Sequence, residues 1–341
     1  MKMIHCSDIH LDAAMSGLSD PNKAEERRNE ILLTFVRMVR YAVKNDIRAI
    51  LIVGDLFDSE KISPATADIV EKCISKNESI DFFYVGGNHE RDAFLNSLSS
   101  RPANLKTFED QKTYRYDEEG ITVTAASDPS ELSLSPSDFN IVLYHGTVRP
   151  NAWNGKNIDY LALGHFHSLK EGALGNRGRY CYSGCLEGRG FDECGDKGFV
   201  RLDINGGNLD PVFMHASKRT IHEVDVDITG VKGTGDVDAL ISDQLEAQGI
   251  STDHLVKIVL RGRAPDDVNI RYLEKKYGEE FYAVKIENET EYAASSPDGA
   301  EYDISLRGEF IRLVMEKDWP ENEKQEVIRL GTLALGGKSI L

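Results

Sequence analysis

Five short apolar runs in the first half of the chain each end in aspartate, asparagine or histidine, and this pattern constrains the fold most. Several of the runs are rich in Ile, Val and Tyr, as buried strands are. The runs are Met3–Cys6, Ala49–Val53, Phe82–Val85, Ile141–Tyr144 and Tyr160–Leu163. Asp20-Pro21 and Ser63-Pro64 each begin a stretch with helical spacing between runs. The alternation predicts a layered α/β fold whose strands are covered on both faces.

The polar residues that follow these runs are the candidate functional residues. One Asp after a Gly is usually a turn, and one His after a strand is usually structural. Eight such residues in five matching contexts are hard to assign to turns: Asp8, His10, Asp55, Asn88, His89, His145, His165 and His167. Since open α/β sheets bind ligands at the carboxyl ends of their strands, we expect these side chains to converge.

The mixture of imidazole, carboxylate and amide groups predicts a metal site. It suits manganese, iron or zinc better than magnesium or calcium, which prefer oxygen ligands alone. Seven candidate ligands are too many for one ion that must also keep a water. Two ions roughly 3.5–4 Å apart, sharing a bridging carboxylate, use them naturally. Asp55, which ends a central strand, is the best candidate for the bridge.

The segment "GHFH" places His165 and His167 two residues apart. In an extended chain such residues point to the same side and lie roughly 6.5–7 Å apart at the backbone. That spacing is awkward for one small ion but suits two neighbouring ions. We therefore expect the two histidines to hold different metals, and Phe166 between them to point into packing.

The composition limits the other classes of function. The net charge of −17 is unusual for a nucleic-acid-binding protein, so any attraction for phosphate must be local. The five cysteines are odd in number and scattered, which favours a reducing, cytoplasmic compartment over a disulfide framework. Neither a membrane-spanning apolar run nor a signal-peptide pattern is expected from the sequence.

The pattern of apolar runs and motifs changes near residue 215, which predicts that the chain has three parts. Residues 1–215 carry the strand-end motifs, residues 216–304 alternate strands and helices in a small α/β module, and residues 305–341 form a helical tail. Leu306, Phe310, Leu313 and Val314 give the tail an apolar stripe, which packs on the protein itself or docks a partner. A helix over residues 22–44 could form a homodimer, but it could equally just cover the sheet.

The strand-end motifs, taken in order, resemble the signature of the calcineurin-like metallophosphoesterases. They stand here as "SDIH", "GDLFD", "GGNHE", "YHG" and "GHFH". The resemblance implies a layered β-sandwich flanked by helices. It also implies one metal site of Asp8, His10, Asp55 and His167, and a second of Asp55, Asn88, His145 and His165. His89 is implied as the catalytic histidine that binds no metal.

Two longer stretches are similar to the SbcD-type DNA-repair exonucleases of that superfamily. They are "HCSDIHLDA" with "GDLFD", and "YCYSGCLEGRGFDECGDKGF". This resemblance implies a small C-terminal capping domain, manganese as the metal, DNA as the substrate and an SMC-like ATPase of the SbcC type as a partner. The family usually has Asp after the catalytic histidine, whereas Glu90 stands here, and we expect tuning rather than loss of activity.

The expected reaction is hydrolysis of a phosphodiester. Two divalent ions lower the pKa of a bound water and bind phosphate oxygens, while His89 assists the leaving oxygen. Arg177, Arg179 and Arg189 follow the last ligand and are candidates for contacts with substrate phosphates, or else are ion-paired on the surface. A phosphodiesterase or phosphatase for small molecules is the alternative enzyme, and a DNA-end scaffold is the alternative without catalysis.

Overall fold

The computed structural model describes residues 1–109, 112–264, 268–292 and 306–335. It confirms the predicted α/β class. The chain divides into two compact units, Met1–His222 with Asp253–Leu255, and the described residues of Glu223–Thr252 and Val256–Leu341. The division falls at His222, somewhat after the boundary predicted at 215. The boundary predicted between residues 304 and 305 lies outside the described residues.

The described residues of the first unit contain twelve strands and three α-helices. The strands are β1 Lys2–Cys6, β2 Ala49–Val53, β3 Asp81–Val85, β4 Leu105–Lys106, β5 Thr113–Tyr116, β6 Ile121–Ala125, β7 Phe139–His145, β8 Tyr160–Gly164, β9 Lys170–Leu174, β10 Gly178–Tyr182, β11 Gly198–Asn205 and β12 Asn208–His215. The helices are α1 Pro21–Lys44, α2 Pro64–Ser75 and α3 Ala93–Ser97. Short 3-10 helices span Pro129–Glu131 and Pro150–Trp153.

These strands form two six-stranded sheets. Their spatial orders are β12-β11-β1-β2-β3-β4 and β5-β6-β7-β8-β10-β9. Strands β1 to β4 are parallel to one another, as are β6, β7, β8 and β10. Because parallel strands end at the same edge, the residues after β1, β2 and β3 leave one sheet together, and those after β7 and β8 leave the other together.

A continuous apolar core joins the two sheets. It includes Leu51 and Val53 from the first sheet and Ile141, Leu143 and Ala162 from the second, all buried. The opposite face of the first sheet is covered by α1 and α2, so its strands are apolar on both faces. The site residues are thus held by a rigid scaffold.

Helix α1 begins as the sequence predicts and covers the sheet. Asp20 is the N-cap and accepts a hydrogen bond from the backbone N–H of Asn22. Ile31, Phe35 and Met38 are buried in the core, at the helical spacing seen in the sequence. Burial of this face against the sheet accounts for the apolar positions of the helix that lie in the core.

The second unit is a small α/β module with its own core. Its elements are β13 Ile221–Asp227, α4 Thr234–Gln248, β14 Leu255–Arg261, β15 Arg263–Ala264, α5 Ile270–Glu280, β16 Ala283–Asn288 and β17 Glu291–Tyr292. Strands β13, β14 and β16 form one sheet in that order, and β15 pairs with β17. Helix α5 begins at Ile270, after Asn269 as its N-cap.

Two further helices, α6 Leu306–Met315 and α7 Glu321–Leu335, form the described part of the tail. They share a small apolar cluster that contains Ile311, Val314 and Ile328. Of the predicted stripe, Val314 is buried, Phe310 is partly buried, and Leu306 and Leu313 are exposed. Among the described residues, no helix combines the length and apolar character needed to cross a membrane.

Candidate metal centre

The loops after β1 and β2 are bonded to each other along their backbones. The N–H of Asp8 donates to the carbonyl oxygen of Gly54 at 3.0 Å, and the N–H of His10 donates to that of Asp55 at 3.0 Å. These bonds extend the parallel pairing of β1 and β2 beyond the last residues of the two strands. Asp8, His10 and Asp55 are therefore fixed in one buried layer, with 0%, 0% and 2% of each residue exposed.

Four of the candidate residues have an unusual backbone conformation. Asp8, His10 and Asp55 each have φ of 50°, and His165 has φ of 106°. Residues other than glycine rarely adopt positive φ, at a cost of roughly 1–3 kcal/mol each. Such strain persists where the surrounding structure enforces it, and here it turns several polar side chains toward one point.

The first cluster consists of Asp8, His10 and His167, whose ligand-type atoms lie close enough to share one ion. The Nε2 atoms of His10 and His167 are 3.3 Å apart. His167 Nε2 lies 3.9 Å from Asp8 Oδ1, and His10 Nε2 lies 3.9 Å from Asp55 Oδ2. Ligand atoms bound to a common ion at about 2.0–2.2 Å are separated by similar distances.

The second cluster consists of Asp8, Asp55 and His145. His145 Nε2 lies 3.2 Å from Asp55 Oδ2 and 3.2 Å from Asn88 Oδ1. The other ring nitrogen of His145 lies 2.9 Å from the carbonyl oxygen of Val53, which orients the ring. Asp8 belongs to both clusters, and Asp55 Oδ2 also faces His10 of the first cluster, so both carboxylates lie between the two groups of histidines.

Two glycines let His145 approach Asp55 this closely. Gly54 has φ of 79°, and a Cβ atom there would overlap the His145 ring. A Cβ atom on Gly164 would overlap the carbonyl oxygen of Val53 and clash with the same ring. These two glycines, which lie at the ends of β2 and β8, thus allow close packing at this histidine.

The two histidines of "GHFH" point to different places. His167 belongs to the first cluster, whereas the His165 ring lies beside the His145 ring, with centroids 5.7 Å apart. The His165 side chain is exposed, and it is outside the clusters found among the described residues. Phe166 packs against Tyr182 at 4.7 Å between centroids, but it remains 37% exposed, which corrects the expectation that it points into packing.

His89 lies at the rim of the site. Its backbone N–H donates to Asp55 Oδ1 at 3.0 Å, and its Nδ1 lies 3.0 Å from the carbonyl oxygen of Asp58. The His89 ring stands edge-on to the His10 ring at 4.9 Å. If Nδ1 donates its proton to that carbonyl, Nε2 of this exposed histidine is left for the substrate.

Two carboxylates that the sequence analysis did not assign also face the clusters. Asp58 Oδ1 lies 3.1 Å from His10 Nδ1, although the two atoms are not aligned for a hydrogen bond. Glu193 Oε1 lies 2.6 Å from His167 Nδ1. Asp58, His10 and His89 form a third group of ligand-type atoms. Asp58 ends "GDLFD" and Glu193 lies in "GFDE", so both were inside motifs already noted.

Glu90 does not bind the His89 ring, although it stands where the family usually has Asp. Its Oε1 accepts hydrogen bonds from the N–H of Leu56, the hydroxyl of Tyr84 and the N–H of Gly87. The side chain is fully buried. The longer carboxylate therefore ties the loop after β3 to the loop that carries Asp55.

Of the three candidate arginines, only Arg189 reaches the site. Arg177 binds the carboxylate of Asp159, and Arg179 binds that of Glu171. Arg179 pairs with Tyr160, the first residue of β8, so it lies roughly 13 Å from the carboxyl end of that strand. Arg177 and Arg179 are therefore at the far edge of the sheet, away from the clusters.

The donor set fits divalent metal ions. Burial lowers the pKa of His10, which favours the neutral imidazole that a metal requires. Burial also raises the pKa of Asp8, because its charge is poorly solvated there, and a bound cation would offset that cost. Burial also acts to raise the pKa of Asp55, but its hydrogen bond and attraction to His145 outweigh this and lower it. The carboxylates of Asp8 and Asp55 are buried beside the rings of His10, His145 and His167. These groups can all give electron pairs to a cation placed between them.

Comparisons with known proteins agree with this geometry. Residues 1–169 match the family described as Calcineurin-like phosphoesterase. The chain is 23% identical to the uncharacterized metallophosphoesterase YhaO of Bacillus subtilis over 344 aligned residues, which cover 86% of this chain and 83% of that protein. It is 43% identical to the DNA double-strand break repair protein Mre11 of Aeropyrum pernix over 61 residues, 18% of this chain and 13% of that protein.

Two solved structures are similar to part of the chain. A dimetal phosphatase from Danio rerio aligns with 64% of this chain and 99% of its own, at 11% identity and a TM-score of 0.41. TT1561 of Thermus thermophilus aligns with 62% of this chain and 98% of its own, also at 11% identity and a TM-score of 0.41.

Proposed function

We propose that the protein is a nuclease that hydrolyses phosphodiesters at DNA ends. The match of residues 1–169 to the calcineurin-like phosphoesterase family supports a metal-dependent phosphoester hydrolase. The proposal assigns it two divalent ions, with manganese as the metal, and a role in DNA repair in the cytoplasm. The mixed nitrogen and oxygen donors favour manganese over magnesium or calcium.

The observation that carries the proposal is the position of Asp55. Its Oδ2 faces His145 of the second cluster at 3.2 Å and His10 of the first at 3.9 Å, so this carboxylate lies within reach of both, as does Asp8, which belongs to both clusters. We assign one ion to Asp8, His10, Asp55 and His167, and the other to Asp55, Asn88, His145 and His165. In this assignment the exposed side chain of His165 turns toward His145. Bound ions would supply an activated water and neutralise phosphate charge.

His89 is the proposed catalytic residue of the chain. Asp55 and the carbonyl oxygen of Asp58 fix its backbone and its Nδ1, respectively. This leaves Nε2 at the exposed rim, where the ring, when protonated on both nitrogens, can donate the Nε2 proton to the leaving oxygen of the substrate. General acid catalysis of this kind contributes roughly 10²–10⁴-fold.

Two observations favour DNA over small phosphoesters as the substrate. One is the local similarity to Mre11, which is named for the repair of DNA double-strand breaks. The other is the second α/β unit with its helical tail, which a simple phosphatase does not need. The tail would dock an SMC-like ATPase of the SbcC type. The net charge of −17 favours the alternative, a phosphodiesterase or phosphatase for small molecules.

The proposal is tested by comparing three substrates with the same preparation. The metal-free protein is loaded with manganese and incubated with end-labelled linear duplex DNA, single-stranded DNA and a bis-aryl phosphodiester. Cleavage of DNA that chelator abolishes would support the nuclease. Cleavage of the small ester alone would reject DNA as the substrate and leave the alternative in place.

A further inference from the structure

The side chain of Arg189 lies between two carboxylates that face different histidines of the first cluster. Its Nη1 donates to Asp58 Oδ1 at 2.7 Å. Its Nη2 and Nε donate to Glu193 Oε1 at 2.8 Å and 3.2 Å, and Nη2 also lies 3.2 Å from His167 Nδ1. The backbone N–H of Arg189 donates to the other oxygen of Glu193 at 2.8 Å. The guanidinium and the backbone of one residue thus hold both carboxylates.

Each of these carboxylates faces the ring nitrogen of its histidine that points away from the cluster. Glu193 Oε1 is within hydrogen-bond distance of His167 Nδ1 at 2.6 Å, whereas Asp58 Oδ1 is 3.1 Å from His10 Nδ1 in a close contact that is not aligned as a hydrogen bond. The Nε2 atoms of the same two rings face each other at 3.3 Å inside the cluster. Metal-binding histidines usually pair their second nitrogen with a carboxylate, which fixes the ring and raises its basicity.

Asp58 also links Arg189 to His89. The carbonyl oxygen of Asp58 lies 3.0 Å from His89 Nδ1. When Arg189 fixes the Asp58 side chain, it also limits the movement of this carbonyl group. The Arg189 contacts therefore reach two histidines of one cluster and the histidine at the rim.

These contacts leave Arg189 poorly suited to bind substrate phosphate. Its side chain is only 20% exposed, and three of its five N–H donors, one each on Nε, Nη1 and Nη2, already bind carboxylates. Because the planar fork of arginine matches two carboxylates at once, a lysine at this position could not make the same set of contacts. The partly buried pairs are also less screened than surface pairs.

We propose that Arg189 is a positioning residue that orients His10 and His167 through Asp58 and Glu193, and thereby sets the affinity of one of the two metal sites. The inference rests on the proposed function in that it takes these histidines as ligands of one ion. It departs from the expectation that Arg189 contacts substrate.

The test measures manganese binding and does not need DNA cleavage. Metal-free wild type and Arg189→Ala are titrated with Mn²⁺, and bound ions are counted by electron paramagnetic resonance and elemental analysis. We expect Arg189→Ala to bind one ion as the wild type does and the other about 10–100-fold more weakly, the usual effect of removing such a partner. Arg179→Ala, which removes an arginine paired with Glu171 at the far edge, is the matched control and should match the wild type.

A second variant guards against misfolding of the first. Glu193→Gln keeps the size of the side chain but removes its charge, and it should weaken the same ion in the same direction. Arg189→Lys should restore only part of the affinity. Wild-type affinity for both ions in Arg189→Ala and Glu193→Gln would overturn the proposal.

Two other outcomes separate this inference from the proposed function. Three ions in the wild type, falling to two in Asp58→Asn, would make Asp58 a ligand and would overturn its positioning role. A wild type that binds two ions but leaves DNA intact would reject the nuclease. The shift in affinity in Arg189→Ala would still support the positioning role.

Discussion

The buried carboxylate of Glu90 accepts a hydrogen bond from the backbone N–H of Leu56 at 3.1 Å, directly beside Asp55. The same oxygen accepts bonds from Tyr84 and Gly87, while the other oxygen is buried and has no hydrogen-bond partner among the described residues. One side chain thus joins the loops after β2 and β3, at the cost of burying a carboxyl group close to another.

This arrangement predicts that the stability of the metal-free protein depends on pH through Glu90. Burial, and then repulsion from Asp55, raises the pKa of Glu90 to about 7. The folded state therefore keeps a proton that the unfolded chain loses near pH 4.5. The contribution of Glu90 to stability is complete below about pH 4.5 and falls as the pH rises to about 7, by about 3 kcal/mol.

Glu90→Gln keeps a carbonyl acceptor for Leu56 but has no proton to lose. The difference in free energy of unfolding between the variant and the wild type should shift in favour of the variant between pH 5 and pH 8. Denaturant unfolding with chelator present at both pH values measures this shift. An equal difference at the two pH values would show that Glu90 has an ordinary pKa in the folded protein.

Glu187 lies in the same segment as Arg189, and we expect its replacement to lower stability without changing metal binding. Its buried carboxylate accepts hydrogen bonds from Arg27 at 3.1 Å, Thr34 at 2.6 Å and the N–H of Lys218 at 2.6 Å. Glu187→Ala leaves the buried Arg27 with less compensation and should destabilise the protein by about 3–5 kcal/mol.

Thermal unfolding measures this effect as a fall in Tm on the order of 10 °C. The folded fraction of Glu187→Ala should still bind two manganese ions with normal affinity, because Glu187 contacts none of the clustered histidines in the described structure. Weaker binding of one ion at low temperature would mean that the segment acts on the metal site as a whole, rather than through Arg189 and Glu193.

His89→Ala is expected to remove catalysis without removing metal. The side chain is outside the two clusters assigned to ions, so the variant should bind manganese as the wild type does. Its turnover of phosphodiesters should fall by roughly 10²–10⁴-fold. His215→Ala changes an exposed histidine at the end of β12 and serves as the control. Activity of His89→Ala within tenfold of the wild type would refute the assigned role.

The sequence predicted the residues at the centre of the site better than the carboxylates that contact its histidines from outside. Asp55 and His145 could be found because each stands at the end of an apolar strand and next to a glycine. These local features place a side chain at the edge of a sheet. Asp58 and Glu193 could not be assigned in the same way. A carboxylate acquires its role from the ring it faces, and the partner of Glu193 lies on another loop.

The arginines show the same limit. Arg177, Arg179 and Arg189 are all close to His167 in sequence, and this suggested a common role. Strand β10 runs parallel to β8, so the residues at its start lie at the opposite edge from the residues that follow β8. Only Arg189, which comes after β10, returns to the site. Nearness along the chain was therefore a poor guide to nearness in space.

The most direct test of the central claim is a manganese titration of the metal-free protein, followed by both metal binding and cleavage of end-labelled linear duplex DNA. The account predicts two ions per chain and DNA cleavage that rises as the second ion binds, with both properties reduced in Asp55→Asn because this carboxylate faces both clusters. Full cleavage with one ion bound, or intact DNA with two ions bound, would contradict it.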